Sequence, residues 1–350
     1  MLRFLALLSL ASSATAAEPT LKLFDGESTF GWTVEGKVEV KDGVLTLGGD
    51  GKPASISLPA ILPATGRVQL ATTGAAGVTV IDHSGREVMA VAVSQEGTGV
   101  LEFHMTKRDG TAVLTANRVS DVKPDALIAV CLVTPQRLGF KLSTAATATL
   151  RAAVFFPASG TPLFNGKNLD GWKVFKGDAK KEASKWSVTP AGELKVENGP
   201  GDLQTTAEYA DFLVRLDVKT MGKALNSGLF FRCLPDKYQQ GYEAQIQNAF
   251  LNDDRTKPAD FGTGAIYRRV PARKVVSNDN DWFTLHVLAV GPQIRTWVNG
   301  EPVVAWVDDR PANDNGRNGR RVAAGRLSLQ GHDPTTHILF KNLTVADLAK

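Results

Sequence analysis

Apolar and polar residues alternate over much of this chain. From Gly241 to Gln247, Tyr242, Ala244 and Ile246 fall on one side of an extended backbone, and Glu243, Gln245 and Gln247 on the other. This predicts a β-strand with one face fit for a core. The other face sets a carboxylate and two amides in a row, about 7 Å apart at a rise of roughly 3.3 Å per residue. Such a row suits either a solvated outer face or a hydroxyl-rich ligand. The same period returns elsewhere. Residues 37–47 read as two strands around Asp42-Gly43, a hairpin signal. Further strand runs lie at 77–81, 87–93, 99–105 and 127–134, then at 194–196, 212–219, 228–233, 282–290, 293–298, 302–306, 325–330 and 338–345. Asn299-Gly300 joins two of these as a hairpin. No long helical pattern interrupts them after the first 17 residues, so the expected fold class is all-β, built as β-sandwiches, with a barrel as the alternative.

The pattern also repeats. Leu23-Phe-Asp-Gly26, with Gly31-Trp32 after it, is matched by Leu163-Phe-Asn-Gly166 and Gly171-Trp172. Two related domains follow from this, at 19–156 and 163–350, joined by a Pro/Gly/Ser linker at 157–162. The first carries mostly Thr, Ser and Gln at its polar positions. It reads as a structural or binding sandwich and a degenerate copy of the second. The polar loops 248–263 and 310–322 are longer than most hairpin connections, a length often tied to function.

Composition adds constraints. The chain has 350 residues, 43% hydrophobic and 22% charged, with a net charge of +4. That balance suits a globular protein and is too mild to name an acidic glycan as partner. Arg317, Arg320 and Arg321 cluster in one Asn/Gly-rich stretch that reads as a solvated loop, and no nucleic-acid module is present. Residues 1–17 hold one positive charge, a short apolar run and a small-residue end at Ala14-Thr15-Ala16-Ala17, the form of a secretory signal peptide. Export to the periplasm or beyond is expected, without a membrane span. Cys131 and Cys233 read as separate buried thiols, with an interdomain disulfide as the minor alternative, and no Cys/His spacing suggests zinc. Nucleotide-binding glycine motifs are absent.

Strand parity gathers the residues that could do chemistry. Arg232 interrupts an apolar run, so it must reach water or pair with an anion such as Glu243. In Gly325-Arg-Leu-Ser-Leu-Gln-Gly-His-Asp333, Leu327 and Leu329 face a core while Ser328 and Gln330 face away. His332 beside Asp333 follows where the strand should end, a place for a general base or for simple solvation. Tyr267 adds a phenol near a loop end. Trp297 and Trp306 flank the Asn299-Gly300 hairpin, where rings either stack on sugars or pack in the core.

These stretches resemble the domain of unknown function 1080 family, also called the 3-keto-disaccharide hydrolase domain. The resemblance rests on Leu163-Phe-Asn-Gly-Lys-Asn-Leu-Asp-Gly-Trp172, Asn226-Ser-Gly-Leu-Phe-Phe-Arg232, Gly241-Tyr-Glu-Ala-Gln-Ile246, Gly264-Ala-Ile-Tyr267, Asp281-Trp-Phe-Thr-Leu-His286, Val298-Asn-Gly300, Gly325-Arg-Leu-Ser-Leu-Gln-Gly-His-Asp333 and Ile338-Leu-Phe-Lys-Asn-Leu343, in order. It implies a concanavalin A-like lectin/glucanase sandwich with a sugar site on its concave face. Only the opening motif recurs in the first domain. An ordinary glycosidase needs two carboxylates. Glucanases of this class place them two apart on one strand, where Gln245 stands here, leaving Asp254, Asp260 or Asp333 to arrive from loops. The family name points instead to a ketone at C3 that acidifies the C2 proton, loss of the glycosidic oxygen from C1 by elimination, and addition of water. That route needs a base, a cationic or metal stabiliser and hydroxyl-binding amides. Glu243 or His332 would be the base and Arg232 the stabiliser, with Gln245, Gln330, Tyr267 and Trp306 binding substrate. A divalent metal on His332 and Asp333 would fit but is not demanded. A non-catalytic sugar-binding module and a structural β protein are the competing classes.

Overall fold

A computed structural model describes residues 20–93, 99–108, 111–120, 123–133 and 137–348. The predicted signal peptide lies outside these residues. Among them the chain is strand after strand, with two short 3-10 turns and no α-helix. Among the described residues no helix is long and apolar enough to cross a membrane.

Of the twenty-six strands, thirteen precede the break after Pro157 and thirteen follow it from Thr161. Counted from one to thirteen within each half, the large sheet runs 3-4-13-6-9-10-11 in both, and the small sheet 2-5-12-7-8 in both. In each half the first strand also pairs with the thirteenth. The repeated opening motif has one geometry. Asp25 Oδ1 accepts from the backbone N–H of Glu27 and Ser28, as Asn165 Oδ1 does from Lys167 and Asn168. The indole of Trp32 donates to the Leu23 carbonyl, and that of Trp172 to the Leu163 carbonyl, at 2.6 and 2.7 Å. Gly26 and Gly166 turn the chain at φ of +76° and +72°, conformations that favour glycine. The motif is a folding latch: an Asx turn reverses the chain and the tryptophan pins it to its own start.

Some strands were hidden in the sequence. Residues Ala54–Pro63 contain Pro59 and still form a strand. The ladder to Arg137–Thr144 slips beside it, and Gly139 lies so close that a Cβ would meet Leu58 O at 2.5 Å. Proline is tolerated at such a bulge because no ladder N–H is needed there.

The second half positions the site. We number the strands of its small sheet β1 (Trp172–Val174), β2 (Gly201–Tyr209), β3 (Ser227–Cys233), β4 (Tyr242–Ile246) and β5 (Gly325–Gly331), in the spatial order β1-β2-β5-β3-β4. Leu203, Leu229, Phe231, Tyr242, Ala244, Ile246, Leu327 and Leu329 turn inward onto the large sheet's Val218, Leu285, Val287 and Phe340. The apolar cluster of the first half runs on into Leu213, Leu288, Val290, Trp297 and Leu348 of the second. Trp297 is buried there, its indole donating to the Lys22 carbonyl at 2.8 Å, so it is a packing residue. Arg273 and Lys274 pair with Asp25 and Glu27 across the same boundary. Cys233 is a buried free thiol, and burial pushes its pKa up. Cys131 lies in a strand whose side chains are outside the described set.

Candidate functional site

The outward face of β2, β5, β3 and β4 carries two polar rungs. The register places Gln204, Ser328, Phe230 and Glu243 side by side on one rung, and Asp202, Gln330, Gly228 and Gln245 on the next. Alternation left this face to water or to a hydroxyl-rich ligand, and open solvent is not what covers it. Instead Asp202, Gln204, Glu243, Gln245, Ser328 and Gln330 are all buried. The loops between the strands wall the face into a trough. Asp260 Oδ2 accepts from Gln245 Nε2 and Asn226 Nδ2 at 3.0 and 2.9 Å. Gln239 donates its backbone N–H to Asp202 at 3.1 Å, and Arg317 reaches down to Glu243 at 2.9 Å. Gly228 makes room for this floor, since a Cβ there would meet Glu243 Oε1 at 2.8 Å.

The trough is a candidate binding site because of what it leaves unpaired. Asp202 Oδ1, Gln245 Oε1, Gln330 Oε1, Ser328 Oγ, Asn226 Oδ1 and Arg317 Nε are buried polar atoms without a protein partner. A buried polar group left unpaired costs on the order of 1–3 kcal/mol, so six in one trough make this face the candidate for ligand contact. Most are acceptors, matched to the hydroxyls of a ligand.

The electrostatics agree. Burial pushes the Glu243 carboxyl up to about 8; Arg317 opposes the rise, and Asp202 and Asp260 add to it. Burial likewise pushes Asp202 up to about 7 against the Gln239 backbone N–H. Tyr238, half-buried near both acids, is raised by burial first and then by Asp202. Two carboxyl groups that titrate near neutrality are suited to giving and taking protons at physiological pH. Such a group also costs stability. Because Glu243 is raised from an ordinary value of 4.5, its contribution favours the fold below that pH and is lost as pH rises through about 8. Glu243→Gln should therefore raise the melting temperature relative to the native chain at pH 8 by more than it does at pH 4. Thermal unfolding at the two pH values checks this; an equal shift at both would show that the carboxyl is not strained by burial.

The structure sorts the residues expected from sequence. Glu243, Gln245 and Gln330 come together, and Tyr267 lines the cavity beside Glu243. His332 lies further along β5's line, beyond Gln330, with an exposed ring whose Nδ1 sits 2.8 Å from Asp333 Oδ2. Its backbone is about 13 Å along the strand direction from the Glu243 rung, at roughly 3.3 Å per residue. Asp333 Oδ1 also accepts from Thr335, so this acid closes a turn. Among the described residues no three His, Cys, Asp or Glu gather as a metal-binding group. Two expectations need correction. Arg232 does not reach the trough. A bulge after Phe230 and a φ of +51° turn it inside, where its fully buried guanidinium donates to the carbonyls of Ala210, Gly291 and Arg321 and pairs with Asp211. Trp306 stands edge-on to Tyr242 with ring centres 6.3 Å apart. Tyr242 points opposite to Glu243 on β4, so Trp306 packs at the sandwich edge, across the sheet from the trough.

Sequence reasoning missed Asp202, Gln204, Tyr238 and Arg317. The first two had a signal, because Asp202-Leu203-Gln204 alternates as clearly as β4 does. Arg317 had none: its Asn/Gly-rich loop has no period, and only the fold brings it over the Phe230 ring, 5.2 Å from the centroid.

Residues 159–346 match the family model of the 3-keto-alpha-glucoside-1,2-lyase-like domain, over half of the chain. The chain belongs to that family. No curated protein matches it. Among solved structures, a proposed glycosyl hydrolase from Parabacteroides distasonis ATCC 8503 is 24% identical with a TM-score of 0.43, covering 54% of this chain and 94% of its own. A Bacillus licheniformis β-glucanase is 14% identical, with a TM-score of 0.36, covering 52% and 94%. A carbohydrate-binding module from Bacillus subtilis is 18% identical, with a TM-score of 0.33, covering 50% and 94%. The match to the 3-keto-alpha-glucoside-1,2-lyase-like family spans the half with the trough. In the other half the corresponding strands present Ser55, Ser57, Ser143, Lys141, Thr79, Ala90 and Ala92 outward. The first half shares the strand order, and there Glu35, paired with Ser55 and Lys141, is the carboxylate beside this face, with no buried counterpart of Asp202 or Glu243 among these outward residues.

Proposed function

We propose that the trough cleaves the glycosidic bond of a 3-keto-glucoside by elimination, with Glu243 as the base. The observation that carries this reading is the buried Glu243 beside Arg317, at one end of a trough of unpaired acceptors. Glu243 takes the C2 proton, made acidic by the C3 ketone. Arg317 steadies the charge that develops on the ketone oxygen, the task first assigned to Arg232. The C1–O bond then breaks, and Asp202, part-protonated near neutral pH, gives its proton to the leaving oxygen. Water adds across the resulting C1=C2 bond and releases the keto sugar. Gln245, Gln330 and Ser328 hold hydroxyls throughout. The leader-like residues 1–17 support export, to the periplasm or beyond.

Asp202 favours a second reading, ordinary hydrolysis by two carboxylates. It and Glu243 sit on the outer two of four adjacent strands and one rung apart, about 16 Å at the backbone for a spacing near 4.8 Å per strand and 3.3 Å per residue. So wide a backbone setting disfavours the retaining carboxyl separation of about 5–5.5 Å and leaves the inverting one of about 6.5–9.5 Å as the hydrolytic geometry the side chains would have to reach. Product analysis with a 3-keto-disaccharide and its unoxidised parent separates the readings, run with and without chelator. Cleavage of the keto sugar alone is expected. Cleavage of the parent would support hydrolysis, and tight binding with no product from either would make the trough a binding module.

A further inference from the structure

Hydroxyl-binding groups explain the floor of the trough but not the arginines at its open end. A cavity of about 180 Å³ beside Glu243 is lined by Tyr267, Arg268, Arg269 and Arg317. In the tight turn after Ile266, the N–H groups of Arg269 and Val270 both donate to the Ile266 carbonyl at 2.9 Å. The turn holds Arg268 at φ +59°, a backbone conformation that favours glycine, and still places an arginine there. Its exposed guanidinium lies 5.3 Å from the Tyr267 ring centre and acts on the Glu243 carboxyl without an ion-pair contact. Arg269 spends its donors on the backbone carbonyls of Arg268 and Arg317, strapping two loops together. Arg317 bonds Glu243 through one nitrogen and leaves its buried Nε unpaired. The nearby Arg310 is matched by Asp308 at 2.8 Å. Arg317 thus contacts the Glu243 carboxyl while Arg268 acts on it from further off, so a single carboxyl faces more than one guanidinium at this end. Clustered cations without matching anions are unfavourable unless an anion arrives.

We propose that this end of the trough is a subsite for an anionic group carried on the sugar, a uronate carboxylate or a sulfate ester, held by Arg268 with Arg317 and Arg269 alongside. The inference rests on the reading that the trough holds a sugar, and it narrows the substrate class to acidic glycosides. The planar fork of arginine matches both anions in two-point contacts.

Calorimetric titration of the native chain with glucuronate, glucose 6-sulfate and glucose tests this. At least one anionic sugar should bind about tenfold or more tightly than glucose, from charge-assisted hydrogen bonds, and its advantage should shrink in high salt. Glucuronate ahead of the sulfate assigns a carboxylate; the reverse order assigns a sulfate ester. Arg268→Gln should lower the anionic-to-neutral affinity ratio by about fivefold or more, and Arg268→Lys should restore part of it. Glucose binding as tightly as both anionic sugars, no binding of either anionic sugar, or a ratio unchanged by Arg268→Gln would overturn the proposal. Cleavage of a neutral 3-keto-glucoside by the same preparation reports separately on the elimination reading, so either proposal can fail alone.

Discussion

Glu243→Gln is expected to lower kcat on a 3-keto-glucoside by roughly a thousandfold, within the range of about 10²–10⁴ that a positioned general base contributes. The amide keeps the size and hydrogen-bonding reach of the acid but cannot take a proton. Its neighbours are set by β3 and β4, and Gly228 already leaves the space the side chain fills, so the trough should keep its shape. Sugar binding, measured by calorimetry, should persist within a few-fold, because Gln245, Gln330 and Ser328 remain. Activity in the native chain should rise with pH through about 8, where Glu243 ionises. A variant that keeps full cleavage would remove Glu243 from the chemistry, and one that loses binding as well would make it a binding residue.

Arg317→Gln should have the second-largest effect. Removing one preorganised donor to a developing oxyanion costs on the order of 10²–10³ in kcat. The variant carries a second signature that a merely structural loss would not produce. Arg317 is the strongest of the charges holding the Glu243 carboxyl down against burial. Without it the carboxyl rises further, so the rising limb of the pH–rate profile should move to higher pH. A lower rate with an unmoved limb would place Arg317 in loop structure rather than beside the base.

The contrast between Glu243 and Arg317 shows what this sequence made legible. Alternation on β4 and β5 identified Glu243, Gln245 and Gln330, because a two-residue period is a direct image of which way side chains point. The repeated opening motif was legible as a motif rather than by alternation, since the Asx turn and the tryptophan latch are both local. Alternation misplaced Arg232 because a single bulge breaks parity, and a bulge leaves no mark in the local pattern. Arg317 was read as a solvated loop residue because it reaches Glu243 across 74 positions of sequence. Burial of the polar face was equally invisible. It comes from loops that arch over β2, β3 and β4, and alternation alone cannot distinguish a face covered by water from one covered by chain.

The central claim is that the bond breaks by removal of the C2 proton. The most direct test is cleavage of a 3-keto-glucoside by the native chain in heavy water, with the released sugar examined at early times by mass spectrometry and NMR, and with free 3-keto-glucose as the exchange control. Elimination followed by addition of water predicts one deuteron at C2 for every molecule released, well ahead of exchange in the control. A product that keeps its original hydrogen at C2 would contradict the account and assign the trough to direct hydrolysis.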